Sequence, residues 1–230
     1  MSQSVKIATI LPYKENYTFR KAQAAAIWVC DFFKYSKFKN TNFIFGNTKG
    51  NDYLTKNYIN ISINNLKSKF SSSTNEYCKN FIKKTKNDNF DIIEIHNRPL
   101  VFNYLKKEID SKYILYFHND PLSMNGSKTI NERLKLLDEL DKIIFVSKWV
   151  QNRFFEKLDD KLINKTEVVY PSIHKEKKIF NKEKKITFVG KLNESKGYDI
   201  YKDAVTKILN EFNDWKAYSI GDESRTRPII

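Results

Sequence analysis

The sequence is poor in cysteine and has no long apolar run. Its 230 residues contain only Cys30 and Cys78. Neither lies in a paired metal-ligand spacing, so the sequence argues against a disulfide framework and a cysteine metal site. No apolar run approaches the roughly 18 residues of a membrane-spanning helix, and residues 1–11 lack the basic start and long apolar core of a secretory signal. We therefore expect a cytoplasmic protein that touches, at most, the inner face of the cell membrane.

Acidic residues are also in short supply. Lysine and arginine number 41 against 27 acids, a net charge of +14, and the excess is spread along the chain. Two interpretations stay open: a well-solvated surface, or attraction to anionic substrates, anionic lipid or nucleic acid. With 40% apolar and 14% aromatic residues, the chain has enough material for a large core.

Apolar strands alternate with amphipathic helices along the chain, which is typical of an α/β fold with a mainly parallel sheet. The pattern predicts a complete Rossmann-like domain over residues 1–173, a lysine-rich linker over 174–185 and a β-α-β segment over 186–230. Some 45 residues are too few for a full second domain, so we expect an incomplete one. Strands are predicted at 5–11, 42–45, 58–61, 92–95, 113–117, 142–146, 167–170, 186–189 and 215–220. Helices are predicted at 19–35, 73–86, from 99, 128–140, 148–158 and 198–212.

The most informative stretch is residues 188–197, Phe-Val-Gly-Lys-Leu-Asn-Glu-Ser-Lys-Gly. An apolar strand ends at Gly190, and Lys191 and Lys196 precede a predicted helix. A strand-to-helix junction offers unpaired backbone N–H groups and the positive end of a helix, and the two ammonium groups add charge. The pattern favours a phosphate or diphosphate ligand over an ordinary solvated turn.

This stretch resembles the Val-Gly-[Arg/Lys]-Leu-x-x-x-Lys-Gly motif of family-four glycosyltransferases, including those of bacterial lipopolysaccharide and capsule synthesis. The resemblance implies the GT-B fold, in which two Rossmann-like domains face each other across a cleft. It places Gly190, Lys191 and Lys196 at the diphosphate of a nucleotide sugar, and residues 186–230 in an incomplete donor domain. The acidic Glu-x₇-Glu motif of that family is absent from the 230 residues, and Asp222 matches part of a Gly-Asp-Gly turn.

Histidines follow two predicted strands of the first domain, where ligands bind in open α/β sheets. The segment from His118 to Pro121 resembles the family's His-Asp segment, which implies that His118 faces the transferred sugar as the catalytic histidine, with Asp120 a further candidate. The segment from His96 to Pro99 resembles one found in lipopolysaccharide and capsule transferases, which places His96, Asn97 and Arg98 on the acceptor side. The first loop, residues 12–18, departs from the family because it has no glycine.

Taken as a member of this family, the chain would be a retaining hexosyltransferase that needs no metal and no cofactor. Its partners would be a UDP- or GDP-sugar donor, a glycan or lipid-linked acceptor for the cell envelope, an anionic membrane surface and a second copy of the chain, but not nucleic acid. The absence of an Asp-x-Asp motif agrees with metal independence. Three alternatives stay open: a basic nucleic-acid-binding module, a nucleotide-sugar epimerase, and a partner-binding subunit without catalysis.

Overall fold

The computed structural model describes residues 5–63, 72–172 and 181–221. The chain divides into two compact units, Met1–Ile173 and His174–Ile230. The strands of the first unit are β1 (Ile7–Ile10), β2 (Asn42–Gly46), β3 (Tyr58–Asn60), β4 (Ile92–His96), β5 (Lys112–Phe117), β6 (Lys142–Phe145) and β7 (Thr166–Val168). Its helices are α1 (Ala24–Tyr35), α2 (Ser73–Lys84), α3 (Pro99–Leu105), α4 (Ile130–Glu139) and α5 (Lys148–Phe155).

The strands of the first unit form one parallel sheet of seven strands in the order β3-β2-β1-β4-β5-β6-β7. The strand order reverses between β1 and β4, so the connections leave these two neighbours in opposite directions. Such a reversal opens a crevice at the carboxyl ends of the strands, where ligands bind in folds of this kind. The α/β prediction is confirmed, and the sheet positions the candidate site.

Apolar residues cover both faces of this sheet, as expected for parallel strands packed between helices. On β2, Ile44 packs in a cluster with Trp28 and Val29 of α1, whereas its neighbour Phe45 packs in a second cluster with Phe81 of α2. Successive strand residues point to opposite faces, so α1 and α2 lie on opposite sides of the sheet. The second cluster continues under α3, α4 and α5.

Helix α1 is shorter at its start than the sequence predicts. The prediction of a helix from Phe19 is wrong, because α1 begins at Ala24. The N–H of Ala22 donates to the carbonyl of Thr18 at 2.9 Å in a tight turn, and Thr18 bridges Tyr53 of another loop. The bond of Ala22 is local, whereas the bridge from Thr18 to Tyr53 joins residues distant in sequence, and it holds the segment out of the helix.

The second unit is a parallel β-α-β unit. It consists of β8 (Lys185–Val189), a 3-10 turn (Glu194–Lys196), α6 (Tyr198–Glu211) and β9 (Lys216–Ile220), with β8 paired to β9 in parallel. Tyr201 of α6 packs on Phe188, and its hydroxyl donates to the carbonyl of Tyr218 at 2.7 Å, which ties the helix to both strands. Of the predicted linker, residues 174–180 lie outside the described residues.

Candidate functional site

Three predicted site residues lie at the carboxyl end of β4, beside the point where the strand order reverses. His96 is the last residue of β4, Asn97 and Arg98 follow it, and α3 begins at Pro99. His118 follows β5, the neighbouring strand. The parallel register therefore brings the two histidine segments to the same edge of the sheet.

The two histidines are hydrogen-bonded to each other. His96 Nδ1 lies 2.8 Å from His118 Nε2. His96 is 1% exposed, whereas His118 is partly exposed. Burial lowers the pKa of His118 to about 4 and lowers the pKa of His96 well below its ordinary value, with repulsion from His118 adding to the effect on His96. Both imidazoles are therefore neutral at physiological pH.

Aromatic side chains enclose this histidine pair. The His96 ring stacks on Tyr116 of β5 with 4.5 Å between centroids. Trp28 of α1 meets both imidazoles edge-on, with centroids 5.6 Å from His96 and 5.1 Å from His118. These contacts fix the orientation of both rings before any ligand arrives.

Asn97 connects the ends of β4 and β5. Its backbone has φ of 53°, in the left-handed region that asparagine tolerates better than most residues. Its N–H donates to the carbonyl of Tyr116 at 2.8 Å, and its Oδ1 accepts the N–H of His118 at 2.7 Å. Asn97 thereby fixes the backbone position of His118, and its side chain is already engaged.

Arg98 lies between the end of β4 and the first loop. Its Nη1 donates to the carbonyl of Asn97 at 2.9 Å, and its guanidinium lies 5.3 Å from the ring centre of Tyr13. Its Nε is buried and has no hydrogen-bond partner among the described residues. The glycine-free first loop contributes the aromatic face of Tyr13 beside this guanidinium.

The carboxylate of Asp120 is occupied by protein groups. Its Oδ1 accepts the N–H of Leu122 at 3.0 Å, and its Oδ2 accepts from Arg153 Nε at 3.3 Å and from Arg153 Nη2 at 3.1 Å. Asp120 thus ties the turn after His118 to α5. This geometry gives it a role in holding the turn.

In the second unit, Lys191 and Lys196 lie in the turn between β8 and α6, and both are exposed. Neither ammonium has an ion-pair or hydrogen-bond partner within the part of the chain that the structure describes. The N–H groups of Lys196, Gly197 and Tyr198 donate within the turn, to the carbonyls of Asn193, Glu194 and Asn193 respectively. The N–H groups of Lys191 and Leu192 have no partner among the described residues.

Two glycines meet at the carboxyl edge of β8 and β9. The N–H of Gly190 donates to the carbonyl of Ile220 at 2.9 Å. A Cβ on Gly221 would lie 1.7 Å from the carbonyl oxygen of Gly190, which leaves no space for any side chain there. The two backbone segments therefore approach each other closely beside Lys191. The further candidate Asp222 lies outside the described residues.

Sequence reasoning missed Trp28, Tyr116 and Glu94. The Tyr116 hydroxyl donates to Glu94 Oε1 at 3.1 Å, and Thr9 Oγ1 donates to Glu94 Oε2 at 2.7 Å. Burial raises the pKa of Glu94, and these two hydrogen bonds oppose that rise. Alternation along β5 puts Tyr116 and His118 on one face, which is a signal in the sequence. The approach of Trp28 from α1 carries no such signal.

Comparison with known proteins found no matching family model and no matching curated protein. Solved structures, in contrast, match over almost the whole chain. The apo form of the lipopolysaccharide outer core galactosyltransferase WaaB is 15% identical with a TM-score of 0.61, over 95% of this chain and 69% of that chain. A UDP-N-acetylglucosamine 2-epimerase is 10% identical with a TM-score of 0.56, over 94% and 63%. Anabaena HepE in complex with UDP-glucose is 11% identical with a TM-score of 0.55, over 94% and 69%.

The fold is of the GT-B type. This likeness, at 10% to 15% identity, is one of fold, and it confirms the fold class predicted from the sequence. The chain spans 63% to 69% of the length of these three structures. Within the described residues, no helix is long and apolar enough to cross a membrane, and no cluster of three or more His, Cys, Asp or Glu side chains could hold a metal ion.

Proposed function

We propose that this protein is a glycosyltransferase that moves a sugar from a UDP- or GDP-linked donor to a glycan or lipid-linked acceptor. The turn between β8 and α6 carries the proposal. There, two exposed lysines without ion-pair partners among the described residues lie in the same turn as the N–H groups of Lys191 and Leu192, which have no partner among those residues. A diphosphate is the ligand that such a turn suits. The GT-B fold, shared with a structure that holds UDP-glucose, supports this choice of ligand.

The ammonium groups and the backbone act together in this proposal. Two unit charges 4 Å apart attract by only about 1 kcal/mol in water, so exposed lysines alone give weak affinity. Backbone N–H groups of Lys191 and Leu192 add hydrogen bonds to a charged acceptor, worth roughly 1.5–3 kcal/mol each. The same groups stabilise the negative charge that develops on the leaving diphosphate, which would make a divalent ion unnecessary.

The first unit supplies the rest of the chemistry. By resemblance, we propose that His118 contacts the transferred sugar and that His96, Asn97 and Arg98 shape the acceptor side. We further propose that the protein belongs to family four, retains the anomeric configuration and acts in cell-envelope glycan synthesis. In that setting it would be cytoplasmic, with its basic surface next to the inner face of the membrane.

Nucleotide binding tests the proposal directly. Isothermal titration of the 230-residue chain with UDP, GDP, ADP and their common sugars should give saturable binding of one nucleotide. The double variant Lys191→Ala/Lys196→Ala should bind that nucleotide about ten- to a hundredfold more weakly, which corresponds to one or two lost charge-assisted contacts.

A matched control removes the same charge elsewhere. Lys207→Ala/Lys216→Ala changes two exposed lysines in the same unit, near the end of α6 and at the start of β9. This variant should keep the wild-type affinity. Equal weakening in both double variants, or binding that tracks salt without preference for any nucleotide sugar, would instead indicate a general polyanion surface.

Product analysis separates transfer from epimerisation. One of the three similar structures is an epimerase, and an epimerase converts the free donor without any acceptor. We expect no change of the donor sugar in the absence of acceptor, and release of the nucleoside diphosphate only when a glycan acceptor is added. Conversion of the free donor into its epimer would reject the transferase proposal.

A further inference from the structure

The bond between His96 Nδ1 and His118 Nε2 contains one proton when both rings are neutral, and either ring can supply it. If His96 donates, His118 carries its own proton on Nδ1. If His118 donates, its Nδ1 is bare and acts only as an acceptor. The two arrangements therefore present opposite hydrogen-bonding groups on the side of His118 that faces away from His96.

The surroundings of His96 distinguish these arrangements. His96 Nε2 is buried and has no hydrogen-bond partner among the described residues. A buried N–H without an acceptor is rarer in proteins than an acceptor without a donor. Burial therefore favours a bare Nε2 on His96, with the proton of that ring on Nδ1.

Trp28 points to the same arrangement. Its Nε1–H, which can only donate, is also buried without a partner among the described residues, and its ring meets that of His96 edge-on at 5.6 Å. A bare His96 Nε2 adds a buried acceptor beside the ring that carries this donor. The opposite tautomer would add a second buried donor without a partner among the described residues.

We infer that His96 is a positioning residue: it donates its Nδ1–H to His118 Nε2 and so holds His118 in the tautomer with its proton on Nδ1. The His118 Nδ1 atom has no hydrogen-bond partner among the described residues and is not enclosed. His118 therefore offers a neutral N–H donor to a ligand. That the ligand is an oxygen of the transferred sugar rests on the proposed function, whereas the tautomer does not.

The tautomer can be read by NMR in the full chain without any ligand. In a ¹⁵N-histidine sample at neutral pH, two-bond ¹H–¹⁵N correlations distinguish protonated from bare ring nitrogens. The variants His174→Gln and His118→Gln assign the signals. We expect His118 and His96 both to carry the proton on Nδ1. A wild-type spectrum with the proton of His118 on Nε2 would overturn the inference.

The variant His96→Phe tests the cause. Phenylalanine keeps a ring against Tyr116 and Trp28 but removes both nitrogens, so His118 should shift its proton to Nε2, the tautomer preferred by an unconstrained histidine side chain. An unchanged His118 spectrum in this variant would mean that His96 does not set the tautomer. If the variant does not fold, the wild-type spectrum still decides between the two arrangements.

An activity measurement distinguishes the inference about the tautomer from the proposed function. In His96→Phe, turnover should fall at least about tenfold, in the range of a lost acid–base or donor contact, while nucleotide affinity stays at the wild-type level. If His96→Phe changes the His118 tautomer but keeps wild-type turnover, the tautomer does not affect transfer. The assignment of the tautomer in the wild type still stands. Absence of any transfer by the wild type would reject the proposed function alone.

Discussion

Asn97 accepts the backbone N–H of His118 through its side chain, at 2.7 Å, from a backbone that lies in the left-handed region. Asn97 thus has two roles: its backbone adopts the left-handed conformation, and its side chain accepts the hydrogen bond. The link joins the ends of two neighbouring strands, which explains how His118 keeps its place at an edge made of loops. It also predicts that Asn97 contributes to stability in two separable ways.

Substitutions at Asn97 should separate the hydrogen bond from the backbone conformation. Asn97→Gly loses only the bond and should destabilise the protein by about 1 kcal/mol. Asn97→Ala adds the left-handed penalty for an L-residue, a further 1–2 kcal/mol or so. Urea unfolding of the two variants measures the difference. Equal losses would show that the left-handed conformation is not retained in the folded protein.

Substitution of Gly221 should disrupt the second unit. In Gly221→Ala, a Cβ would lie 1.7 Å from the carbonyl oxygen of Gly190, so β8 and β9 must separate at that edge. We expect a loss of about 1–3 kcal/mol, in the range of overpacking, and weaker nucleotide binding. Gly197→Ala is the control, since its Cβ meets no atom within 4 Å and only its φ of 73° is strained. Thermal unfolding that ranks Gly197→Ala as the worse variant would contradict this close approach.

The ion pair of Asp120 and Arg153 should matter more than a typical surface pair. Asp120→Asn weakens that pair and the acceptor that caps the turn at Leu122, so we expect the midpoint of thermal unfolding to fall by about 2–4 °C. Asp31→Asn removes the exposed pair with Lys34 and should leave the midpoint almost unchanged. Similar shifts for both variants would assign Asp120 no special role in holding the turn.

Acid should destabilise the protein through the histidine pair. The pKa of His118 is lowered to about 4 by burial, and that of His96 is lowered as well. The unfolded chain therefore binds more protons below its histidine pKa of about 6.5, and stability falls as pH drops toward 4. His118 alone contributes about 1.4 kcal/mol per pH unit across that window.

The double variant His96→Phe/His118→Phe should remove most of this slope. Glu94 acts in the opposite sense, since its raised pKa makes the folded state lose stability as pH rises. It is present in both proteins, so the comparison cancels its effect. Chemical unfolding at a series of pH values between about 4 and 7 measures the two slopes. An unchanged slope in the double variant would show that the pair titrates normally.

The helices and strands follow from local sequence patterns, and most of them appear where the sequence predicts. Strand β1 is apolar except for Thr9 and is buried along its length, as expected for a central parallel strand. The start of α1 escaped prediction, because Thr18 is held by Tyr53, which is distant in sequence. A local pattern contains no information about such a bond.

The residue types at the candidate site were also visible in the sequence, since histidines and lysines at strand ends are conspicuous. What the sequence determined is therefore the order of the elements, the apolar faces and the chemical groups available at each strand end, because these depend on neighbours along the chain. Only the tertiary structure decided that His96 bonds His118, that Trp28 closes over both, and that Asp120 is taken up by Arg153. Those contacts depend on the register between strands and on packing between distant segments, and no local periodicity encodes either.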